Sequence, residues 1–294
     1  MVNWINGKTR LCGIFGNPVR HSFSPAMHNA AFAALGLNYV YLPFSVEVHQ
    51  LTAAVAGIRA MGLVGLNVTI PHKQSIMPLL DDLSAEARLM GAVNTVVNQD
   101  GYLFGDNTDG TGFLSALQAE TGFFPAGKTA LIIGAGGAAR AVSVKLALSG
   151  AKELYIMNRS GKGAEDLADL LYTHTKAHIQ VIPWLDNGQE LSVKADLTVQ
   201  TTPVGMLSET GETDRLPRFH WVPGQVVCDL IYNPGETRFM VSAREKGATV
   251  INGLGMLLYQ GALAFQMWTG LPAPLEVMGQ SLIKSMKSVR QEAG

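Results

Sequence analysis

The run Gly134-Ala135-Gly136-Gly137-Ala138-Ala139 lies between an apolar segment, Thr129 to Ile133, and a helix-forming stretch that reaches Gly150; Glu153 to Met157 then reads as a second strand. Strand, glycine-rich turn, helix and strand make one βαβ unit, and strands joined through a helix run parallel in a sheet with helices on its faces. The turn has a G-x-G-x-x-A pattern where a strand ends and a helix begins. Residues this small let the backbone approach a pyrophosphate, and unpaired N–H groups at the positive end of the following helix stabilise its charge. Gly134, Ala135, Gly136, Gly137 and Ala138 are therefore read as dinucleotide contacts. A turn that merely packs helix on sheet is the competing reading; the flanking strand and helix favour the dinucleotide.

The second strand ends in Asn158-Arg159-Ser160, with Lys162 close behind. An NAD-binding chain usually carries Asp or Glu there, whose carboxylate bonds the ribose 2′-hydroxyl and repels a 2′-phosphate. Neutral Asn158 removes the repulsion, Arg159 can stack on adenine and pair with phosphate, and Lys162 adds positive charge. NADP is the expected cofactor, with NAD still open. Arg159 and Lys162 equally suit solvated surface positions.

Elsewhere short β-rich runs alternate with helical patterns, which argues an α/β fold. Strands are expected at Leu11 to Phe15, Asn38 to Pro43, Gly65 to Ile70, Leu197 to Thr201, Val226 to Ile231 and Thr249 to Asn252. Helices are expected at Pro25 to Leu35, His49 to Met61 and Gly255 to Trp268. A hairpin is expected at Ala92 to Phe104, turned by Gln99-Asp100-Gly101. The change of motif sets domains at 1–110 and 111–255, followed by C-terminal helices at 256–294.

With 294 residues, 47% of them hydrophobic and 15% charged, the chain suits two cores better than one. A net charge of -1 leaves no field that would gather nucleic acid or an anionic membrane, so a small-molecule partner is expected. Cys12 and Cys228 lack the spacing of a disulfide framework or a zinc site, which fits reduced, cytoplasmic thiols. The first residues do not read as an export signal, and every apolar stretch is interrupted before membrane-spanning length. His28 and His72 have no metal-ligand spacing and are read as structural, so no metal is expected. Monomer and homodimer are both open.

Three polar clusters in the first domain fall near strand ends or helix starts: Ser22-Phe23-Ser24-Pro25, Asn67 to Lys73, and Asn107-Thr108-Asp109-Gly110. Open α/β sheets expose their ligand groups at such places. These clusters, with His28-Asn29 and Gly91 to Thr95, resemble the shikimate dehydrogenase family in order and spacing. The likeness runs on through Gly134 to Arg140, Asn158-Arg159, Thr201 to Met206, Asp229 to Asn233 and Asn252 to Gln260, nearly the whole chain.

The resemblance implies reversible reduction of 3-dehydroshikimate to shikimate with NADPH. It implies a cleft between an N-terminal substrate domain and a Rossmann-type dinucleotide domain, with the last helices returning to the first domain. It makes Lys73 and Asp109 the catalytic pair. It gives Ser22 and Ser24 the substrate carboxylate, gives Asn67, Thr69, Asn94, Asp109 and Gln260 the ring hydroxyls, and sets Tyr232 near the carboxylate. Thr201, Gly253 and Met256 join Asn158, Arg159, Ser160 and Lys162 on the cofactor side. A structural ion pair is the competing reading for Lys73 and Asp109, and helix capping for Ser24 before Pro25. A quinate/shikimate dehydrogenase and a cofactor-sensing protein without turnover are the alternative functions.

Three positions depart from the family's habit. Phe23 stands between the serines where Lys or Leu is frequent. Gly163 stands four positions after Arg159, where a second basic residue is common. Gln200 precedes Thr-Thr-Pro, where Asn is usual.

Overall fold

The structure is a computed structural model and describes residues 5–185, 190–191, 194–206 and 216–292. The chain divides into two compact units, Met1–Thr108 with Leu258–Gly294, and Asp109–Leu257.

The first unit holds strands β1 (Arg10–Gly16), β2 (Tyr39–Ser45), β3 (Gly65–Val68), β4 (Asp82–Leu83), β5 (Thr95–Gln99) and β6 (Tyr102–Asp106). Its helices are α1 (Ser24–Ala34), α2 (Leu51–Ala60) and α3 (Ala85–Met90). The sheet order is β2-β1-β3-β5-β6-β4. β1 is parallel to β2 and β3, whereas β5 is antiparallel to both β3 and β6. The hairpin forms because Asp100 and Gly101 adopt positive φ, 53° and 96°, which matches the twist of the strands they join. One face of the sheet buries Phe15, Leu66, Val68 and Val96 against Val55 and Ile58 of α2.

The second unit holds α4 (Asp109–Thr121), β7 (Thr129–Ile133), α5 (Gly137–Leu148), β8 (Glu153–Met157), α6 (Gly161–His174) and β9 (His178–Ile182). It continues with β10 (Glu190–Leu191), β11 (Leu197–Gln200), β12 (Arg218–Phe219), β13 (Val226–Asp229), α7 (Arg238–Arg244) and β14 (Thr249–Asn252). Six strands pair in the order β14-β13-β11-β7-β8-β9, all parallel. Counted from β7, this is the doubly wound Rossmann order, whose direction of travel reverses between β7 and β11.

α8 (Leu254–Thr269) begins in the second unit and ends in the first, and α9 (Leu275–Glu292) belongs to the first. Within the first unit, Trp268 Nε1 donates to the Val96 carbonyl (3.0 Å), and its indole fills the hollow over Gly65, where a Cβ would sit 2.4 Å from that nitrogen. α9 packs on α1, and Ser281 Oγ donates to the Ala26 carbonyl (2.9 Å).

The expected strand to Ile70 stops at Val68, because Thr69 begins a turn whose carbonyl accepts from His72 N (2.9 Å). No strand was expected over β9, an edge strand whose exposed and half-buried residues do not alternate.

Candidate active site

In the first unit the pairing directions bring one end of β1, β3 and β6 together with the start of β5. Ser24 follows β1, Asn67 closes β3, Asn94 and Thr95 open β5, and Thr108 follows β6. All five side chains are buried, and so is Gln260 on α8. They form one polar web. Asn67 Nδ2 donates to the Asn94 carbonyl (3.2 Å) and Thr95 Oγ1 (3.2 Å). Asn94 Oδ1 accepts from Thr108 N (2.8 Å) and Thr95 Oγ1 (3.0 Å), while its Nδ2 donates to Thr108 Oγ1 (3.1 Å) and Gln260 Oε1 (3.5 Å). Polar groups this enclosed are tolerated because they satisfy one another.

Ser24 does not cap α1. The cap position is Phe23, which is buried, and no side-chain hydrogen bond caps this helix. Ser22 Oγ accepts from Ser24 N (3.3 Å), and the phenol of Tyr41 on β2 donates to Asn67 Oδ1 (2.8 Å). Tyr41 was not singled out from sequence. Its signal is only that a buried tyrosine hydroxyl needs a partner. Burial pushes its phenol well above the usual value.

Lys73 is half-buried at the end of the turn after β3, and its carbonyl accepts from Val93 N (2.8 Å), which ties this turn to the segment entering β5. Thr69 is half-buried, with its N–H on the Phe15 carbonyl (2.9 Å). His72 Nε2 donates to the Val46 carbonyl (2.7 Å). His28 stacks on Tyr41 at 4.5 Å between ring centres, and burial lowers its pKa to about 3.

In the second unit Asp109 is the first residue of α4 and is buried. Gly134 has φ +115°, and a Cβ there would lie 2.3 Å from Thr201 Oγ1, so only glycine fits. The Thr201 hydroxyl donates to the last carbonyl of β7, on Ile133 (2.7 Å). A Cβ on Gly136 or Gly137 would meet nothing within 4 Å, and no side chain caps α5 at Gly136. The first turn of α5 is therefore an open cradle of backbone N–H groups at the switch between β7 and β11, which fits a dinucleotide pyrophosphate.

Beyond β8, Asn158 Nδ2 donates to the Ser160 carbonyl (3.0 Å), and Ser160 caps α6. Arg159 and Lys162 are exposed. A Cβ on Gly163 would sit 3.0 Å from Asn158 Nδ2, so a larger residue there has to displace that amide.

Asp229 ends β13 fully buried, accepting from Thr237 Oγ1 (2.6 Å) and Ile231 N (3.0 Å). Burial raises its carboxyl pKa to about 6 against those two bonds. Gly253 N donates to the Ile231 carbonyl (3.2 Å), and a Cβ on Gly253 would lie 1.9 Å from the Leu230 carbonyl oxygen, so glycine is required where the chain enters α8. Met256 lies half-buried in the first turn of α8. Tyr232 is half-buried, and burial raises its phenol pKa.

A separate pocket of about 400 Å³, lined by Arg218, Phe219, Trp221, Arg238 and Phe239 among others, contains none of the expected site residues. Among the described residues, no three His, Cys, Asp or Glu are grouped to hold a metal, and no helix is long and apolar enough to cross a membrane.

Three family models match the chain. One, described as the shikimate dehydrogenase substrate binding domain, matches residues 14–96; the shikimate / quinate 5-dehydrogenase model matches 118–202; and the shikimate 5'-dehydrogenase C-terminal domain matches 253–283. A curated relative from Desulforamulus reducens, named shikimate dehydrogenase (NADP(+)), is 52% identical over 96% of this chain and 97% of its own. The structure of shikimate 5-dehydrogenase from Listeria monocytogenes, in complex with shikimate and NAD, is 41% identical with a TM-score of 0.86, covering 96% of this chain and 99% of that one. The ligand-free 5-ketofructose reductase of a Gluconobacter strain is 37% identical with a TM-score of 0.87, covering 95% and 99%.

Proposed function

The chain belongs to the shikimate dehydrogenase family, and from that premise we propose that it catalyses the reversible NADPH-dependent reduction of 3-dehydroshikimate to shikimate, a step towards chorismate and the aromatic amino acids. The observation that carries the reading is the 52% identity to an NADP-dependent shikimate dehydrogenase along 96% of the chain. The open cradle at Gly136 and Gly137 supports a dinucleotide, and the neutral Asn158 in place of an acidic residue supports the choice of NADP.

The unit Met1–Thr108 with Leu258–Gly294 is assigned to the substrate, and Asp109–Leu257 to the dinucleotide. Bound NADPH supplies the hydride. Lys73, as an ammonium, gives its proton to the oxygen that becomes the shikimate hydroxyl, and as a free amine takes it back in the reverse direction. Asp109 orients that amine and accepts from the substrate hydroxyl. Ser22 and Ser24 hold the carboxylate, with Tyr232 nearby; Asn67, Thr69, Asn94 and Gln260 hold the ring hydroxyls. Gly134 to Ala138 receive the pyrophosphate, Asn158, Arg159, Ser160 and Lys162 the adenosine 2′-phosphate, and Thr201, Gly253 and Met256 line the rest of the cofactor. The buried, unpaired thiols of Cys12 and Cys228 support a cytoplasmic enzyme.

The test is a panel of steady-state rates for shikimate, quinate and 5-ketofructose with the matching NADP and NAD forms. Shikimate with NADP+ is expected to give the highest kcat/KM, by about 100-fold over quinate, because a site shaped to one set of hydroxyls rejects another. Comparable rates with quinate and NAD+ turn the reading towards a quinate/shikimate dehydrogenase. Tight NADPH binding without turnover of any substrate points to a cofactor sensor.

A further inference from the structure

We propose that Tyr41 is a positioning residue of the substrate site, whose phenol hydroxyl holds the Asn67 amide assigned to a ring hydroxyl. The proposal rests on the function proposed above and deepens it.

Tyr41 is fully buried, and its ring is held by stacking on His28 at 4.5 Å and by Trp268 at 6.0 Å between centres. Its backbone is gripped on both sides by one side chain: Asn29 Oδ1 accepts from Tyr41 N (2.8 Å), and Asn29 Nδ2 donates to the Tyr41 carbonyl (2.9 Å). Ring and backbone thus present the hydroxyl in one direction, with its oxygen 2.8 Å from Asn67 Oδ1.

The direction of each bond follows from the acceptors. The Asn94 carbonyl can only accept, so the Asn67 atom facing it is Nδ2, and Asn67 Oδ1 faces Tyr41. Tyr41 therefore donates to Asn67. Both Asn67 N–H groups are used on Asn94 and Thr95, so Asn67 can meet a ligand only as an acceptor, through the remaining lone pair of Oδ1. It reads a hydroxyl and not a ketone or an ether. Tyr41 occupies one lone pair of Asn67 Oδ1 and so fixes the other in place, and removing the phenol hydroxyl frees the Asn67 amide.

The test is Tyr41→Phe, which keeps the ring and its packing. One hydrogen bond's worth of orientation corresponds to an increase of about 5- to 10-fold in the KM for shikimate, with kcat falling less and the KM for NADP+ unchanged. In the double mutant with Thr95→Val the effects are expected to be less than additive, since both residues act on the Asn67 amide. A variant that only lowers Tm, or one whose effect adds fully to that of Thr95→Val, overturns the proposal. If Tyr41→Phe does not accumulate as folded protein, Thr95→Val loosens the Asn67 amide from its other side; unchanged shikimate KM in that variant is equally fatal. Parent enzyme that turns over no shikimate rejects the function proposed above and not the Tyr41 geometry.

Discussion

Gln200 and Asp229 stand opposite one another at the ends of the paired strands β11 and β13, with Gln200 Nε2 3.4 Å from Asp229 Oδ1, and neither is exposed. Gln200 also donates to the carbonyls of Thr202 (3.1 Å) and Val204 (2.9 Å), so one amide holds the loop that follows Thr201 against the carboxyl that holds the loop before Tyr232. The extra methylene relative to Asn gives it the reach to serve both.

Asp229 makes the second unit respond to pH. Its folded pKa of about 6 lies above the ordinary 3.8, so its contribution is fully present below about 3.8 and is lost as pH rises through about 6. Asp229→Asn cannot acquire the charge. Urea unfolding from pH 4 to 7.5 should show the parent losing up to about 3 kcal/mol relative to the variant as pH rises. A pH-independent difference between the two contradicts a buried carboxyl that resists ionisation.

His28 acts in the opposite direction in the first unit. Its folded pKa of about 3 lies below 6.5, so its contribution is present above 6.5 and is lost as pH falls towards 3. His28→Phe keeps an aromatic face on Tyr41 and removes the titration; its overpacking penalty is shared by all pH values. The slope of stability against pH below 6.5 should flatten by ~4 kcal/mol over the window. An unchanged slope means that the ring is reached by water.

Arg159 is exposed beside the cap of α6, and the residue before it is the neutral Asn158 and not an acid. Arg159→Ala should raise the KM for NADP+ by about 10- to 100-fold and leave that for NAD+ within about twofold, as a charge-assisted bond to phosphate is lost. Equal changes for both cofactors would make Arg159 an ordinary surface charge.

Lys73→Ala should lower kcat by on the order of 100- to 10,000-fold with little change in the KM for shikimate, the pattern of a lost proton donor and not of a lost binding group. Turnover near that of the parent returns Lys73 to a structural role.

What the residues disclosed in advance was local. The limits of β7 and β8 and the hairpin at Asp100 and Gly101 follow from apolar runs and turn chemistry within a few neighbours. β9 did not, because an edge strand half open to solvent lacks the alternation that marks burial. α9 was expected only as one of the C-terminal helices, and its packing on α1 is a contact that no local pattern announces. Ser24 was misleading in a different way. Its place before Pro25 reads as a helix cap, yet Ser24 is already the first residue of α1 and the cap position falls on Phe23. The hydrogen bond between Tyr41 and Asn67 spans 26 residues, and the one between Asn94 and Gln260 spans 166, so the web that organises the site exists only once the sheet and α8 have formed.

The hollow over Gly65 is filled by Trp268, and α1 is flanked by α9, both drawn from the last stretch of the chain. On the ribosome the half that emerges first must therefore wait, with an open sheet face, while residues Asp109–Leu257 emerge and can mature on their own. Nascent chains stalled shortly after Leu257 should lose their opening hundred residues to a protease well before the middle segment, which makes the closing helices a late checkpoint on whether a synthesised copy is kept.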